Sequence, residues 1–261
     1  MPYEKLRAER LEDGAVLRIT LDHPKGNVLS SAMMAEIASA LGAHRDDPHL
    51  KLVFVRGAGG HFSFGASIEE HRREAVVAML HRFHGFVREL AAYPVPVAAL
   101  VEGRCLGGAF EMALVCHLVF ATADARFGCP EIKLGVFPPV LAAAGAARLG
   151  GALAERLLLT GDELDAGAAA ACGLVSAVFE HGADPEAALL AWYRAKLAPL
   201  SAYALRIATR AMRADSPLVM ALAGPLEAAE RCYLDTLPAS HDGNEGIDAF
   251  LARRAPVWRD A

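Results

Sequence analysis

Short apolar segments alternate with amphipathic ones along the first part of the chain. Residues 15–21 (AVLRITL) alternate between apolar and polar positions and predict a strand, which ends at a turn over 23–27. Apolar residues at helical spacing predict a helix over 30–44. The apolar run 51–56 (KLVFVR) predicts a buried strand that ends at the glycines beyond it. This order of elements is typical of an α/β fold.

The same order repeats further along the chain. A long helix with a strongly charged first half is predicted from about Ile68 to Ala92, and prolines end it. Strands are predicted over 97–101 and 118–121, and a glycine turn leads from the first of them into another helix. We therefore expect an α/β core in which successive helices cover a sheet.

The last part of the chain has a mainly helical pattern. Helices are predicted over 189–197, 201–212 and 218–234, with prolines between them. We assign residues 1–195 to the core and residues 196–261 to a helical C-terminal region. No low-complexity segment separates the two, so we expect them to pack as one unit.

Composition and charge exclude several classes of function. The chain has 261 residues, of which 54% are hydrophobic, and this is enough for a sizeable core. Its net charge of -5 disfavours nucleic acid as the main partner, because phosphate binding needs a basic excess. Charged residues interrupt the most apolar stretch, 94–123, and the charged N-terminus lacks the apolar run of a secretory signal. We therefore expect a cytoplasmic protein without a membrane partner.

Cysteines and histidines do not suggest a metal site. The cysteines are scattered, form no CxxC pair and are expected to be buried reduced thiols. They are Cys105, Cys116, Cys129, Cys172 and Cys232. Four histidines lack acidic or cysteine partners at ligand spacing and are expected at the surface or on a helix face. They are His61, His71, His81 and His84. The glycine stretch 57–60 matches neither a Walker loop nor a dinucleotide fingerprint, which disfavours nucleotide roles.

Three segments combine glycine with polar residues at the predicted start of a helix. They are 62–67 (FSFGAS), 106–111 (LGGAFE) and 128–131 (GCPE). Backbone N–H groups at a helix N-terminus carry partial positive charge and have no intrahelical partner. Two such groups that converge would form an oxyanion hole for a carbonyl oxygen. Each segment alone is a common turn, so the combination is what indicates a site.

Two carboxylates stand out near these turns. Glu111 lies in an otherwise apolar helix, and Glu131 follows Cys129 and a proline. A low-dielectric pocket would raise both pKa values and separate them, so that one group acts as base and the other as acid. The residues alone leave it equally open that these carboxylates are exposed, or paired with Arg104 or Lys133.

These segments, together with ITLDHPKGNVLSSAM and EGIDAFLARRAPVW near the two ends, closely resemble the crotonase (enoyl-CoA hydratase/isomerase) family. The resemblance covers nearly the whole chain. It implies a crotonase-like spiral of ββα units, with a helical C-terminal region for trimerisation or as a lid. It also implies a homotrimer or a dimer of trimers. The substrate would be an acyl-CoA thioester, with coenzyme A entering as part of it and no separate cofactor.

The resemblance also implies roles for particular residues. The backbone N–H groups of Ala66 and Gly108 would form the oxyanion hole, and Glu111 and Glu131 would flank the attacking water. It leaves open which glutamate is the base. The residues expected to bind coenzyme A are Lys25, Phe64, Gly65 and Ala66. The residues expected to line the acyl pocket are Phe64, Phe137 and Pro139. Arg253 and Arg254 are further candidates for a phosphate.

Within the family, the segments FGASIEEH, AMLHRFHGFVREL and PEIKLGVFPP are most similar to hydratases of cyclohexa-1,5-diene-1-carbonyl-CoA. This similarity implies a lyase that adds water to the cyclic diene during anaerobic breakdown of aromatic acids. Two departures from ordinary enoyl-CoA hydratases stand out. Ser67 replaces the usual acid, and Pro139 replaces a glycine that helps to hold the catalytic water, although proline has no N–H.

Four other functions remain open at this point. A general 2-enoyl-CoA hydratase, an enoyl-CoA isomerase and a thioester hydrolase would all keep the fold and change the reaction or the substrate. A non-catalytic relative that binds CoA or RNA is the most distant alternative. The acidic balance and the presence of both glutamates count against this last one.

Overall fold

The computed structural model describes residues 3–180, 182 and 184–261, and it forms a mixed α/β fold. Within these residues the strands are β1 (Leu6–Leu11), β2 (Val16–Leu21), β3 (Leu52–Gly57), β4 (Val97–Val101), β5 (Arg104–Leu106), β6 (Leu118–Thr122), β7 (Arg126–Gly128), β8 (Glu163–Asp165) and β9 (Ala177–Phe179). A six-stranded sheet has the order β1-β2-β3-β4-β6-β9. Only β1 and β2 pair antiparallel in it, and a three-stranded sheet has the order β5-β7-β8.

Helices cover the large sheet and make up most of the second half of the chain. They are α1 (Ser31–His44), α2 (Val76–Ala91), α3 (Gly108–Val115), α4 (Pro139–Leu149), α5 (Gly151–Thr160), α6 (Ala166–Ala171), α7 (Pro185–Lys196), α8 (Ala202–Arg213), α9 (Pro217–Ala221), α10 (Gly224–Thr236) and α11 (His241–Leu251). The prediction of an α/β fold with a helical C-terminal region is therefore confirmed.

The central strands are buried on both faces, which explains their continuous apolar sequences. In β3, Val53 and Val55 point into the main core, while Leu52 and Phe54 point into a smaller cluster on the other face. Helix α7 closes that smaller cluster with Tyr193. Because side chains alternate along a strand, a sheet with helices on both faces needs apolar residues at every position.

The predicted helix from Ile68 to Ala92 is wrong in its first part. Residues Glu69–His71 form only a short 3-10 turn, and α2 begins at Val76. The charged first part offers no apolar stripe at helical spacing. Its Glu70 instead accepts hydrogen bonds from the backbone N–H of Ser31, at 3.2 Å, and from the Ser31 hydroxyl.

The predicted helix over 218–234 is divided into α9 and α10. Pro225 lacks an N–H and stands at the start of α10, which explains the break. Both helices pack against α4, so the C-terminal region contacts the core as expected. The division at residue 195 and the role of 196–261 in trimerisation or as a lid stay predictions.

The expectation that all cysteines are buried is wrong for two of them. Cys232 on α10 is exposed, and Cys172, which directly follows α6, is partly buried. His84 lies on a helix face, which is one of the two positions expected for it, and its side chain is completely buried beneath α10. Within the described part of the chain, no cluster of three metal-binding side chains occurs, and no helix is long and apolar enough to cross a membrane.

Candidate active site

Strand β5 brings the three glycine-containing segments together. On one side it pairs with β7 in parallel, with Leu106 opposite Gly128. On the other side Ser63 forms a parallel bridge with Cys105, and the N–H of Leu106 donates to the carbonyl of Ser63 at 3.0 Å. The ends of these three parallel stretches therefore lie side by side, at the start of α3.

Gly107 makes the turn from β5 into α3. Its backbone has φ 53° and ψ -134°, a conformation that side-chain-bearing residues rarely adopt. Its N–H donates to the carbonyl of Gly128 at 2.8 Å, which locks the turn to the segment that carries Glu131. A Cβ at this position would lie 2.6 Å from Oε1 of Glu131. Glycine is therefore needed both for the backbone conformation and for the space beside the carboxyl group.

Glu111 is buried in the first turn of α3, with an exposed fraction of 3%. Its Oε1 accepts a hydrogen bond from the N–H of Leu141, at 2.9 Å, in the first turn of α4. Burial raises the pKa of Glu111, and the hydrogen bonds from Leu141 and Val140 oppose the rise only in part. The carboxyl group is thus buried, with a raised pKa, and is held on the N-terminus of α4.

Glu131 lies in a short 3-10 helix, Pro130–Leu134, directly after β7. Its Oε2 is buried and has no hydrogen-bond partner among the described residues. Burial raises the pKa of Glu131, and the nearby charge of Glu111 raises it further. The alternative of ion pairing is wrong for both glutamates, because Arg104 binds Glu163 and Lys133 binds the carbonyl of Gly161.

Ala66 and Gly108 meet beside these carboxyl groups. A Cβ at Gly108 would lie 3.4 Å from the Cβ of Ala66, so the two residues are in van der Waals contact range. Gly65 has φ 96°, and a Cβ there would lie 2.6 Å from the carbonyl oxygen of Leu106. The close approach of the two backbones at this point therefore requires glycine.

Lys25 and Phe64 line a groove of about 490 Å³ on the surface. The ring of Phe64 lies directly on Gly26, where a Cβ would be 2.2 Å from the ring, and it packs edge-on against His61 at 5.1 Å. Phe64 is 45% exposed and lines this groove together with Lys25 and His61. Phe64 stands two residues before Ala66 in the chain, so the segment that lines the groove continues directly to Ala66.

Phe137 lies between Glu131 and α4, and Pro139 is where α4 begins. The ring of Phe137 packs against Tyr233, with 5.4 Å between the ring centroids. The ring of Phe64 packs instead against His61. Pro139 is the first residue of α4 and has no N–H to offer there. Arg254 forms a bidentate ion pair with Glu245, and Arg253 is exposed.

Several residues that shape this site were not predicted from the sequence. Leu141 fixes Glu111, and the buried amide of Asn27 donates to three carbonyls around 58–62, which holds the segment before Phe64. Tyr233 reaches the site from α10. The asparagine at the end of the predicted turn was a usable signal, but neither Leu141 nor Tyr233 stands out from other apolar helix positions.

The arrangement suits general acid–base chemistry beside a polarised carbonyl group. Two buried carboxyl groups have raised pKa values, and one of them interacts with the charge of the other. Such a pair shares protons near neutral pH, with one member as base and the other as acid. The glycine turns let a ligand approach the backbone between them.

Comparison with known proteins agrees with this fold. A sequence profile of the family described as enoyl-CoA hydratase/isomerase matches residues 12–261. The chain is 44% identical over 248 residues to cyclohexa-1,5-dienecarbonyl-CoA hydratase from Thauera aromatica, covering 95% of this chain and 94% of that one. It is 35% identical over 250 residues to 2,3-dehydroadipyl-CoA hydratase from Escherichia coli, covering 94% and 95%.

A solved structure gives the same result for the fold. The enoyl-CoA hydratase from Mycobacterium avium subsp. paratuberculosis superposes with a TM-score of 0.84 at 32% identity, covering 99% of this chain and all of that one. The chain belongs to the enoyl-CoA hydratase/isomerase family and has the crotonase fold. The predictions of this family and of a hydratase-type lyase are thereby confirmed.

Proposed function

We propose that the chain adds water to the conjugated double bond of cyclohexa-1,5-diene-1-carbonyl-CoA, with Glu111 and Glu131 as the proton-transfer pair. One observation carries the reaction type. Both carboxyl groups are buried with raised pKa values, and they flank the point where Ala66 and Gly108 meet. No cation pairs with either of them within the described residues, so burial keeps both pKa values raised, as in many sites of acid–base catalysis.

In the proposed reaction, the N–H groups of Ala66 and Gly108 bind the thioester oxygen. The water oxygen bonds to the β-carbon, its proton passes to one carboxylate, and the electron pair moves onto the thioester oxygen. These two donors stabilise the enolate, and losing one donor typically costs about 3–4 kcal/mol. The second carboxyl group then delivers a proton to carbon.

The cyclic substrate adds one feature to this chemistry. Its enolate extends over the second double bond, so the proton can enter at the far end of the diene. The remaining double bond then stays conjugated with the thioester, and the product is a 6-hydroxycyclohexene-carbonyl-CoA. The 44% identity to the Thauera aromatica hydratase supports this substrate and a role in aromatic-compound degradation. Phe64, Phe137 and Pro139 would line the acyl pocket.

Coenzyme A would enter through the groove at Lys25. The ammonium group of Lys25 would meet the nucleotide phosphates, while Phe64, Gly65 and Ala66 guide the thioester arm to the oxyanion hole. The reaction needs no oxidant, metal or further cofactor, since water and two carboxyl groups supply every proton. A cytoplasmic location remains part of the proposal.

A homotrimer or a dimer of trimers is the proposed assembly. Exposed apolar side chains on and beside α8 support it, because contiguous exposed apolar surface usually marks an interface. They are Leu200, Tyr203, Ile207 and Met212.

Parallel incubation with crotonyl-CoA and cyclohexa-1,5-diene-1-carbonyl-CoA tests the proposal, with the products read by mass spectrometry. We expect a gain of one water on the cyclic diene and little reaction with crotonyl-CoA. Rapid hydration of crotonyl-CoA alone would identify a general enoyl-CoA hydratase. Release of free CoA would identify a thioester hydrolase, and a product of unchanged mass with a moved double bond would identify an isomerase.

A further inference from the structure

Tyr233 has a buried hydroxyl group that nothing in the fold explains. The residue lies on α10 and is 2% exposed, and its ring packs against Phe137. Its hydroxyl oxygen is buried and has no hydrogen-bond partner within the part of the chain that the structure describes. Leaving such a group unsatisfied costs about 1–3 kcal/mol, so a phenylalanine would serve packing better.

The position of Tyr233 is set from two sides. Helix α10 packs on α4, whose N-terminus holds Glu111. One turn before Tyr233, the carboxylate of Glu230 forms a hydrogen bond with Nδ1 of the buried His84 on α2. The hydroxyl group is therefore presented by a helix that is fixed to both neighbours, rather than by a mobile surface segment.

The Tyr233 hydroxyl also lies within the electrostatic reach of Glu131. Burial is the main cause of the raised pKa of Tyr233, and the charge of Glu131 adds to it. The phenol consequently stays protonated and can donate a hydrogen bond. Oε2 of Glu131 is a buried acceptor that likewise lacks a partner among the described residues. An oxygen atom bound between these two groups would satisfy both.

We propose that the Tyr233 hydroxyl is a third polar group of the reaction site, which donates a hydrogen bond to the oxygen that adds to the substrate carbon. Glu131 would hold the same oxygen from its other side. This inference rests on the proposed hydratase function. Pro139 has no N–H at the first position of α4, so a side chain supplies the donor that the backbone cannot supply there.

Tyr233 transfers no proton in this scheme. Its O–H bond stays intact, and the hydrogen bond that it donates to water is kept as that oxygen becomes the product hydroxyl. The water proton goes to a carboxylate, as in the proposed reaction. Tyr233 therefore orients the attacking oxygen, and it should affect turnover more than binding of the thioester.

The test compares Tyr233→Phe with the wild type on cyclohexa-1,5-diene-1-carbonyl-CoA. The variant removes one oxygen atom and keeps the ring on Phe137. We expect kcat to fall about 10- to 100-fold, the range for losing one positioned donor, while KM changes less than about threefold. Calorimetric binding of the unreactive cyclohexanecarbonyl-CoA should be unchanged.

Tyr193→Phe is the matched control. Tyr193 is another buried tyrosine, but it lies in the smaller core cluster beneath α7, so its variant should keep both kcat and KM. A Tyr233→Phe variant with kcat within twofold of the wild type would overturn the inference and leave the proposed function intact. The inference also fails if this variant unfolds or loses ester binding as much as turnover, since the role of the hydroxyl would then be structural. A wild-type chain that does not hydrate the cyclic diene would remove the proposed function, and this inference with it.

Discussion

Oε1 of Glu111 accepts a hydrogen bond from the backbone N–H of Leu141 at 2.9 Å, which joins the first turn of α3 to the first turn of α4. Pro139 is the first residue of α4 and has no N–H. The first backbone N–H groups of this helix that lack an intrahelical acceptor are therefore those of Val140 and Leu141, and both donate to the buried carboxyl group of Glu111. The same contact fixes the carboxyl group of Glu111, whose charge contributes to the raised pKa of Glu131. One interaction therefore serves both the packing of two helices and the geometry of the proposed proton transfer.

Glu111→Gln should lower turnover by about 10²- to 10⁴-fold, the usual contribution of a general acid or base. The amide oxygen can still accept from Leu141, so the fold and the binding of the thioester should be kept. Steady-state kinetics on the cyclic diene, together with thermal unfolding, measure both effects. Glu89→Gln, at an exposed position of α2, is the control. Near-normal turnover would remove Glu111 from the proton-transfer scheme, and the same test applies to Glu131→Gln.

Gly107→Ala should damage both stability and turnover. The backbone conformation at this position costs an alanine about 1–3 kcal/mol, and the new Cβ would lie 2.6 Å from Oε1 of Glu131. Displacing that carboxyl group by even about 1 Å should reduce kcat on the order of 100-fold.

Gly85→Ala is the matched control for that change. Gly85 lies inside α2, and a Cβ there would have nothing within 4 Å. Alanine should therefore stabilise the helix by roughly 0.5–1 kcal/mol and leave kcat unchanged. Urea unfolding and kinetics of the two variants give the comparison. Equal effects at the two glycines would contradict the role assigned to Gly107.

Stability should fall as the pH rises above the ordinary carboxyl pKa. The pKa values of Glu111 and Glu131 are raised above 4.5 in the folded chain, so the folded state keeps protons that the unfolded state releases. Their stabilising contribution is complete below this pKa and is lost as the pH rises to the raised values. The slope is up to about 1.4 kcal/mol per pH unit for each proton.

Urea unfolding between about pH 5 and about pH 8 measures this effect. Glu131→Gln removes one titration, so its free energy of unfolding should decrease less over this range than that of the wild type. Burial lowers the pKa values of the His84 and His117 side chains, so their contribution to the free energy of unfolding increases as the pH rises. Both histidines are present in the wild type and in the variant, so this contribution cancels in the comparison. Parallel curves for the two proteins would show that Glu131 does not titrate as described.

Lys25→Ala should weaken thioester binding without changing the chemistry. Lys25 is exposed in the groove beside Phe64, and an ammonium–phosphate contact at such a site contributes about 1 kcal/mol. KM for the cyclic diene should therefore rise roughly fivefold while kcat stays constant. Lys196→Ala removes an exposed lysine at the end of α7 and serves as the control. An unchanged KM in Lys25→Ala would remove this residue from the site.

Much of the core could be predicted from the pattern of the chain. The strands β3, β4 and β6 were predicted because buried parallel strands are continuous apolar runs, and β2 was predicted from its alternation of apolar and polar positions. The strands β5, β7 and β8 were missed because each has only three residues, which is too short to show an apolar pattern. Backbone hydrogen bonds to neighbouring strands define them instead. Yet β5 is the strand that brings the glycine-containing segments together.

The sequence by itself determined the family and the α/β class, and it singled out Glu111 and Glu131 as candidate catalytic residues. Local motifs and their order along the chain carry that information. Only the tertiary structure decided that the buried carboxyl group of Glu111 accepts a hydrogen bond from the N–H of Leu141, and that Tyr233 on α10 packs against Phe137. These contacts join residues far apart in the chain. Burial and the charge of a neighbour raise a pKa only when folding removes water and brings the two groups together, so no local pattern could have predicted them.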